Sequence, residues 1–292
     1  MAGKVAKINM LISVPIGATV LMTLGARQLA RRMVAPSSYD PRTMTPWELG
    51  IPFEDVVIQS SDGIRLKGWW ITHPEAKRTV ITLAGHRRPK SDCLGIAGAL
   101  WRHKMNILMF DYRGRGDSDP YINTLGYYET QDTLAAINLA SRRAHQLPVA
   151  LIGYSMGASI AIMAAARDQR VSAVVADSPF ASQKKVIRRY FRSKTGLPAF
   201  PIVNLAEKFL PYDIDEVEPI REVRKISPRA IMLIHGECDD LCSLEDSIAL
   251  YEAAGDPKEL WVLPNVGHCG AYFQDREAYV NRVVDFLETH AS

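Results

Sequence analysis

Ser155 stands in Gly153-Tyr154-Ser155-Met156-Gly157, a G-x-S-x-G pattern that closes the apolar run from Val149 and opens onto the small, helix-tolerant stretch Ala158 to Arg167. A serine at such a turn from strand to helix carries its hydroxyl clear of the sheet, and the two glycines let strand and helix backbones come close. The helix start adds free N–H groups beside it. The pattern alone recurs by chance in many proteins, so its place between a strand and a helix is what gives it weight.

A serine hydroxyl is a poor nucleophile until a histidine takes its proton and an acid orients that histidine. His235, His268 and His290 follow Ser155 in the chain. His290 is two residues from the last one, and His235 lies inside the end of a strand, ahead of any well-placed acid. His268, in Pro264-Asn265-Val266-Gly267-His268-Cys269-Gly270, follows a strand on a glycine-bracketed loop and is the candidate base. The acid is expected just past the preceding strand, where His235-Gly236-Glu237-Cys238-Asp239-Asp240 offers Glu237, Asp239 and Asp240. Asp177 is a distant fourth, better suited to shaping the loop that carries Ser178 and Pro179. Pattern alone does not separate Asp239 from Asp240.

Positioning these groups requires an ordered sheet. Glu54 to Ile58 and Ile64 to Ile71 read as a hairpin around Ser60-Ser61-Asp62-Gly63, and Thr79 to Ala84 and Asn106 to Phe110 as strands buried on both faces. Further strands are expected at Val171 to Ala176, Ala230 to Ile234 and Glu259 to Leu263. Helices are expected at Leu94 to His103, Gly126 to His145, Leu244 to Ala254 and Arg276 to Glu288. Apolar strands alternating with helices call for an α/β fold with a mostly parallel sheet flanked by helices. Trp47 and Phe53 are expected to cover the edge of this body.

The alternation breaks between Phe180 and Ile231, which predicts a cap insertion at about residues 181–228 over the carboxyl ends of the strands. Ala181 to Phe200 carries Lys184, Lys185, Arg188, Arg189, Arg192 and Lys194 with no acid, and Asp213 to Glu222 is acidic in turn. One reading is a solvated helix paired to that acidic segment. The other is a basic face that lies on anionic lipid or receives a negatively charged substrate.

With 292 residues and 47% hydrophobic composition, the chain suits one large α/β domain plus appendages. The net charge of +3 is set by Lys4, Lys7, Arg27, Arg31 and Arg32, so the remainder is slightly negative and nucleic-acid binding is not expected. Ile8 to Ala26 holds 19 residues without a charge, enough to cover about 28 Å as a helix. It is read as an N-terminal transmembrane helix, giving a membrane anchor at residues 1–33, a Pro-rich linker at 34–52 and a catalytic body at 53–292. A cleaved secretory signal, leaving a secreted protein, and a buried soluble helix are the rival readings.

The body resembles the α/β-hydrolase superfamily, and most of all the serine hydrolases related to the Bem46 proteins and the dipeptidyl-peptidase-like hydrolases. The residues that carry the resemblance are Asp111 to Ser118 (DYRGRGDS), the GYSMG turn, Asp177-Ser178-Pro179-Phe180, the HGECD stretch and PNVGHCG, in the family's order over roughly 240 residues. The resemblance implies Asp239 as the acid, Asp111, Arg113 and Gly116 as scaffold, and an oxyanion hole made by the backbone N–H groups of Met156 and, after the third strand, His86. Where the family has His-Gly, this chain reads Ala84-Gly85-His86-Arg87-Arg88, and the two arginines so near the hole would favour anionic substrates.

These residues point to a serine hydrolase acting on a small-molecule or lipid-like acyl ester or thioester with no cofactor. A peptidase or acyltransferase would use the same triad, and a membrane-tethered binding protein would keep the fold without the chemistry. The cysteines Cys93, Cys238, Cys242 and Cys269 read as buried thiols. A Cys238–Cys269 disulfide is conceivable in an oxidising compartment, and the spacing is no recognised zinc motif.

Overall fold

The computed structural model describes residues 2–36, 44–144 and 146–291, the side chains of residues 2–16 and 18 excepted. Eight strands form one sheet in the order β1-β2-β4-β3-β5-β6-β7-β8. They are β1 (Glu54–Gln59), β2 (Arg65–Ile71), β3 (Arg78–Leu83), β4 (Met105–Phe110), β5 (Val149–Tyr154), β6 (Val171–Asp177), β7 (Ala230–Gly236) and β8 (Lys258–Leu263). Only β2 runs against its neighbours, pairing antiparallel with β1 and β4, while β4, β3, β5, β6, β7 and β8 are parallel.

The burial pattern accounts for the composition of each strand. Every residue of β3, β4 and β7 is buried, because helices cover both faces of the sheet there. The edge strand β1 alternates, with Val56 and Ile58 inside and Val57 half exposed. Ile81 and Leu83 turn to one layer, which includes Ile137 of α3 (Tyr127–Arg143) and Ile162 of α4 (Met156–Arg167). Val80 turns to the other, with Leu100 of α2 (Leu94–Arg102) and Val283 and Leu287 of α9 (Arg276–His290).

Between β6 and β7 lie α5 (Gln183–Thr195), α6 (Ile202–Glu207), the short α7 (Pro219–Glu222) and 3-10 turns. Gln183 bonds the carbonyl of Thr124, beyond β4, and Arg189 bonds Asp246 in α8 (Leu244–Ala253), beyond β7. The segment is thus tied to loops at the carboxyl ends of the strands. Lys184 pairs with Asp215 at 2.9 Å as the charge pattern predicts, but Arg188 and Arg189 take Glu207 and Asp246, which lie outside the acidic segment.

The N-terminal helix α1 (Ala2–Met33) departs from expectation. Among the described residues no helix is long and apolar enough to cross a membrane, and residues 8–16 of the expected span lie outside the described side chains. Within the described part of that span Val20, Leu21 and Leu24 are exposed, and burial begins at its last residue. Ala26 and Ala30, one turn apart, bury against Ala206 of α6, with Leu29, Ile202 and Leu205 around them. Trp47 does not cover the body either. It is 74% exposed, whereas Phe53 packs edge-on against Trp69, their rings 5.6 Å apart.

Candidate active site

β5 ends in Tyr154 and α4 begins at Met156, so Ser155 makes the whole turn, with φ 55° and ψ −119°. A positive φ is costly for a residue with a Cβ, and this one is held by its surroundings. Ser155 N–H donates to the Asp177 carbonyl at 2.8 Å. A Cβ on Gly153 would strike the Gly157 backbone, and one on Gly157 the Leu83 carbonyl, so only glycine permits the turn at both positions.

Three loops at the carboxyl ends of β5, β7 and β8 bring Ser155, Asp239 and His268 together. Nε2 of His268 lies 2.8 Å from Oγ of Ser155, and Nδ1 lies 2.6 Å from Oδ2 of Asp239. A carboxylate accepting at Nδ1 fixes the proton there and leaves the Nε2 lone pair for the serine hydroxyl. The carboxylate's other oxygen accepts the Leu241 and Cys242 N–H groups, each at 2.9 Å. Burial disfavours the charged form of Asp239, but hydrogen bonds from His235, His268 and the Leu241 N–H outweigh it and hold the carboxyl well below the usual range.

The other candidate acids stand elsewhere. Glu237 and Asp240 are exposed. Asp177 is buried, accepting from Tyr279 Oη and Ser178 Oγ, each at 3.0 Å, and burial pushes its carboxyl up to about 6. Ser178 Oγ in turn accepts the Cys269 N–H at 3.1 Å, so Asp177 braces the loop next to His268. His290 closes α9 against Phe286.

His235 touches the Asp239 carboxylate from the other side. Its Nε2 lies 2.9 Å from the Cys242 carbonyl and 3.4 Å from Oδ2 of Asp239, while Nδ1 meets Ser247 Oγ at 2.7 Å. Sequence reasoning set it aside for want of an acid. The acid is the residue four positions later, reached when the chain folds back after β7.

Of the two expected oxyanion donors, the Met156 N–H opens α4 and has no partner within the helix. Gly85, before His86, lies against the serine, since a Cβ there would be 3.6 Å from that of Ser155. The His86 ring is kept neutral, its pKa pushed down to about 3 by burial and by Arg115 and Arg87. Arg87 and Arg88 do not stand free beside the hole: Arg87 donates to the Arg32 carbonyl at the end of α1, and Arg88 pairs with Asp92.

Asp111, Arg113 and Gly116 make the scaffold. Asp111 holds buried Lys90 at 2.6 Å, Arg113 holds Asp132 and Asp62, and the Asp111 carboxylate fills the space beside Gly116. Arg115, from the same loop, is the residue the motif hides. It is fully buried and donates to Asn123 Oδ1 at 2.5 Å, to Glu129 at 3.2 Å and to the Gly85 carbonyl at 3.3 Å, with the Met156 sulfur 3.4 Å away. One guanidinium therefore contacts both segments expected to carry oxyanion donors. All four cysteines are free thiols in this structure; Cys93 and Cys242 are buried as expected, but Cys238 is exposed and Cys269 half-buried, and among the described residues no His, Cys, Asp and Glu cluster suits a metal.

Residues 74–213 match the family described as serine aminopeptidase, S33. The uncharacterized protein YfhR of Escherichia coli is 30% identical over 257 residues, covering 83% of this chain and 81% of that one. The polyketide transferase grgF of Penicillium is 24% identical over 286 residues, 82% of this chain and 97% of that one. Among solved structures, the Pyrococcus furiosus esterase Pf2001 superposes with a TM-score of 0.76 at 25% identity, over 89% of this chain and 99% of that one.

Proposed function

Because the chain belongs to the α/β-hydrolase superfamily, with an esterase among its structural neighbours, we propose that it is a serine hydrolase that cleaves acyl esters or thioesters through Ser155, His268 and Asp239. The observation that carries this reading is the unbroken hydrogen-bonded line from Ser155 Oγ through His268 to Asp239. Ser155 Oγ attacks the acyl carbonyl as its proton passes to His268 Nε2. The imidazolium, held by the Asp239 carboxylate, then gives that proton to the departing alcohol or thiol. Water then attacks the acyl carbon as His268 takes one of its protons, and the acid leaves as His268 passes that proton to the Ser155 oxygen. Through both tetrahedral stages the backbone N–H groups of Met156 and His86 hold the oxyanion, each worth about 3 kcal/mol.

The test is covalent labelling by a fluorophosphonate probe. Wild-type protein labels, while Ser155→Ala and His268→Ala do not, although both keep the wild-type circular dichroism. A folded wild-type protein that fails to label would sink the reading. Labelling justifies a screen of esters and thioesters of increasing chain length, with aminoacyl amides as the peptidase control. A second reading, acyl transfer to a nucleophile other than water, has its support in the transferase relative. It predicts that added alcohols or amines divert product from free acid to new ester or amide.

A further inference from the structure

The mechanism leaves the basic helix of the cap unused. Lys184, Arg188 and Arg189 are neutralised by Asp215, Glu207 and Asp246, but Lys185, Arg192 and Lys194 meet no carboxylate among the described residues. Arg188, Arg189 and Arg192, one turn of α5, line a cleft of about 750 Å³ together with Pro198, Ala199 and Phe200 of the segment that follows. Cationic and apolar groups thus meet at one concave surface.

The apolar groups are the unusual part. Tyr190 is 51%, Leu197 60% and Phe200 73% exposed, all within the end of α5 and the connection after it, among side chains that carry surplus positive charge. A soluble anion would use the arginines and leave these three in water. A bilayer surface uses both, since phosphate groups meet the cations while aromatic and aliphatic tips enter the headgroup layer. Val20, Leu21 and Leu24 of α1, the helix packed on α6 of the same cap, are exposed as well, at 51%, 72% and 58%. From this juxtaposition we propose that the tip of the cap, from Lys185 to Phe200, docks on a bilayer bearing anionic phospholipids. The docking does not depend on the reaction assigned to Ser155.

The experiment is flotation of the full chain with vesicles of phosphatidylcholine alone or with phosphatidylglycerol added. The wild-type protein favours the anionic vesicles, and the preference falls as salt rises. Each cation near such a surface is worth about fivefold in binding, so Lys185→Gln, Arg192→Gln and Lys194→Gln combined lower the preference on the order of a hundredfold. Leu197→Ser with Phe200→Ser weakens binding to both kinds of vesicle. Attachment by α1 alone would instead give equal binding to both vesicles, or a preference that survives the triple substitution, and either result overturns the proposal. So does displacement from anionic vesicles by inorganic phosphate beyond that of chloride at equal ionic strength, which marks a soluble-anion site. Unchanged fluorophosphonate labelling and circular dichroism in the variants show that the fold is intact.

Discussion

His235 and His268 share one carboxylate oxygen: Oδ2 of Asp239 lies 2.6 Å from Nδ1 of His268 and 3.4 Å from Nε2 of His235. The closer imidazole faces the serine. The farther one is fully buried and anchored to Ser247 and the Cys242 carbonyl, so it fixes where the carboxylate can sit. Replacing His235 by Gln loosens Asp239 without touching the reacting atoms. The expected result is a kcat lower on the order of tenfold to a hundredfold with KM little changed, as a small misplacement of a catalytic group produces. Steady-state kinetics on a short-chain ester decide it, and an unaltered kcat would remove His235 from the site.

Ser155 sits at φ 55°, a conformation that costs a side-chain-bearing residue about 1–3 kcal/mol. Ser155→Gly relieves it. This variant is expected to be inactive yet to unfold at higher denaturant than wild type, by about 1 kcal/mol, with Ser155→Ala falling below it. Urea titrations of the three proteins measure the difference. A glycine variant no more stable than the alanine one would show that the turn is unstrained.

Asp177 gives a pH dependence with a definite sign. Its folded pKa, raised by burial to about 6, exceeds the ordinary carboxyl value of about 3.9, so the folded state holds the proton more tightly than the unfolded chain. Its contribution is fully present below about pH 4 and is lost as pH rises through about 6. Wild type should therefore lose roughly 3 kcal/mol relative to Asp177→Asn across that interval and nothing further above it. Thermal denaturation of both proteins from about pH 4 to 8 tests this, and parallel curves would refute it.

Arg115 contacts Gly85, Glu129 and Met156 at once. Arg115→Met leaves Glu129 buried without its cation and is expected to cost about 3–5 kcal/mol in stability. Adding Glu129→Gln returns part of that stability. It does not return the support under Gly85, so the double variant keeps a kcat reduced about tenfold while KM changes little. Full recovery of kcat in the double variant would reduce Arg115 to a structural ion pair.

The strands were legible wherever both faces of the sheet are covered, because continuous apolar runs such as Ile107 to Phe110 and Ile231 to Ile234, too short for a helix, suit a strand with no face in water. Ser155 and His268 could be read from the glycines that shape their turns. Asp239 and Asp240 could not be separated by pattern, since neighbours in a turn point to different surroundings; one is buried on backbone donors and the other faces water. Arg115 escaped notice because its reach depends on a long side chain folded back through the core. The first helix divides in a way no uncharged run announces: Val20, Leu21 and Leu24 face outward, whereas Ala26 and Ala30 are covered by Ala206.

That helix is also a strut. Ala26 and Ala30 rest on the cap, and a little further along the chain the Ala35 carbonyl, like that of Val34 before it, is gripped by Asn123, while the Arg32 carbonyl takes Arg87. Asn123 leads through Arg115 to Gly85, beside the serine. One helix and the few residues after it thus touch both α6, through Ala206, and the chain of bonds that ends at Gly85 beside the serine.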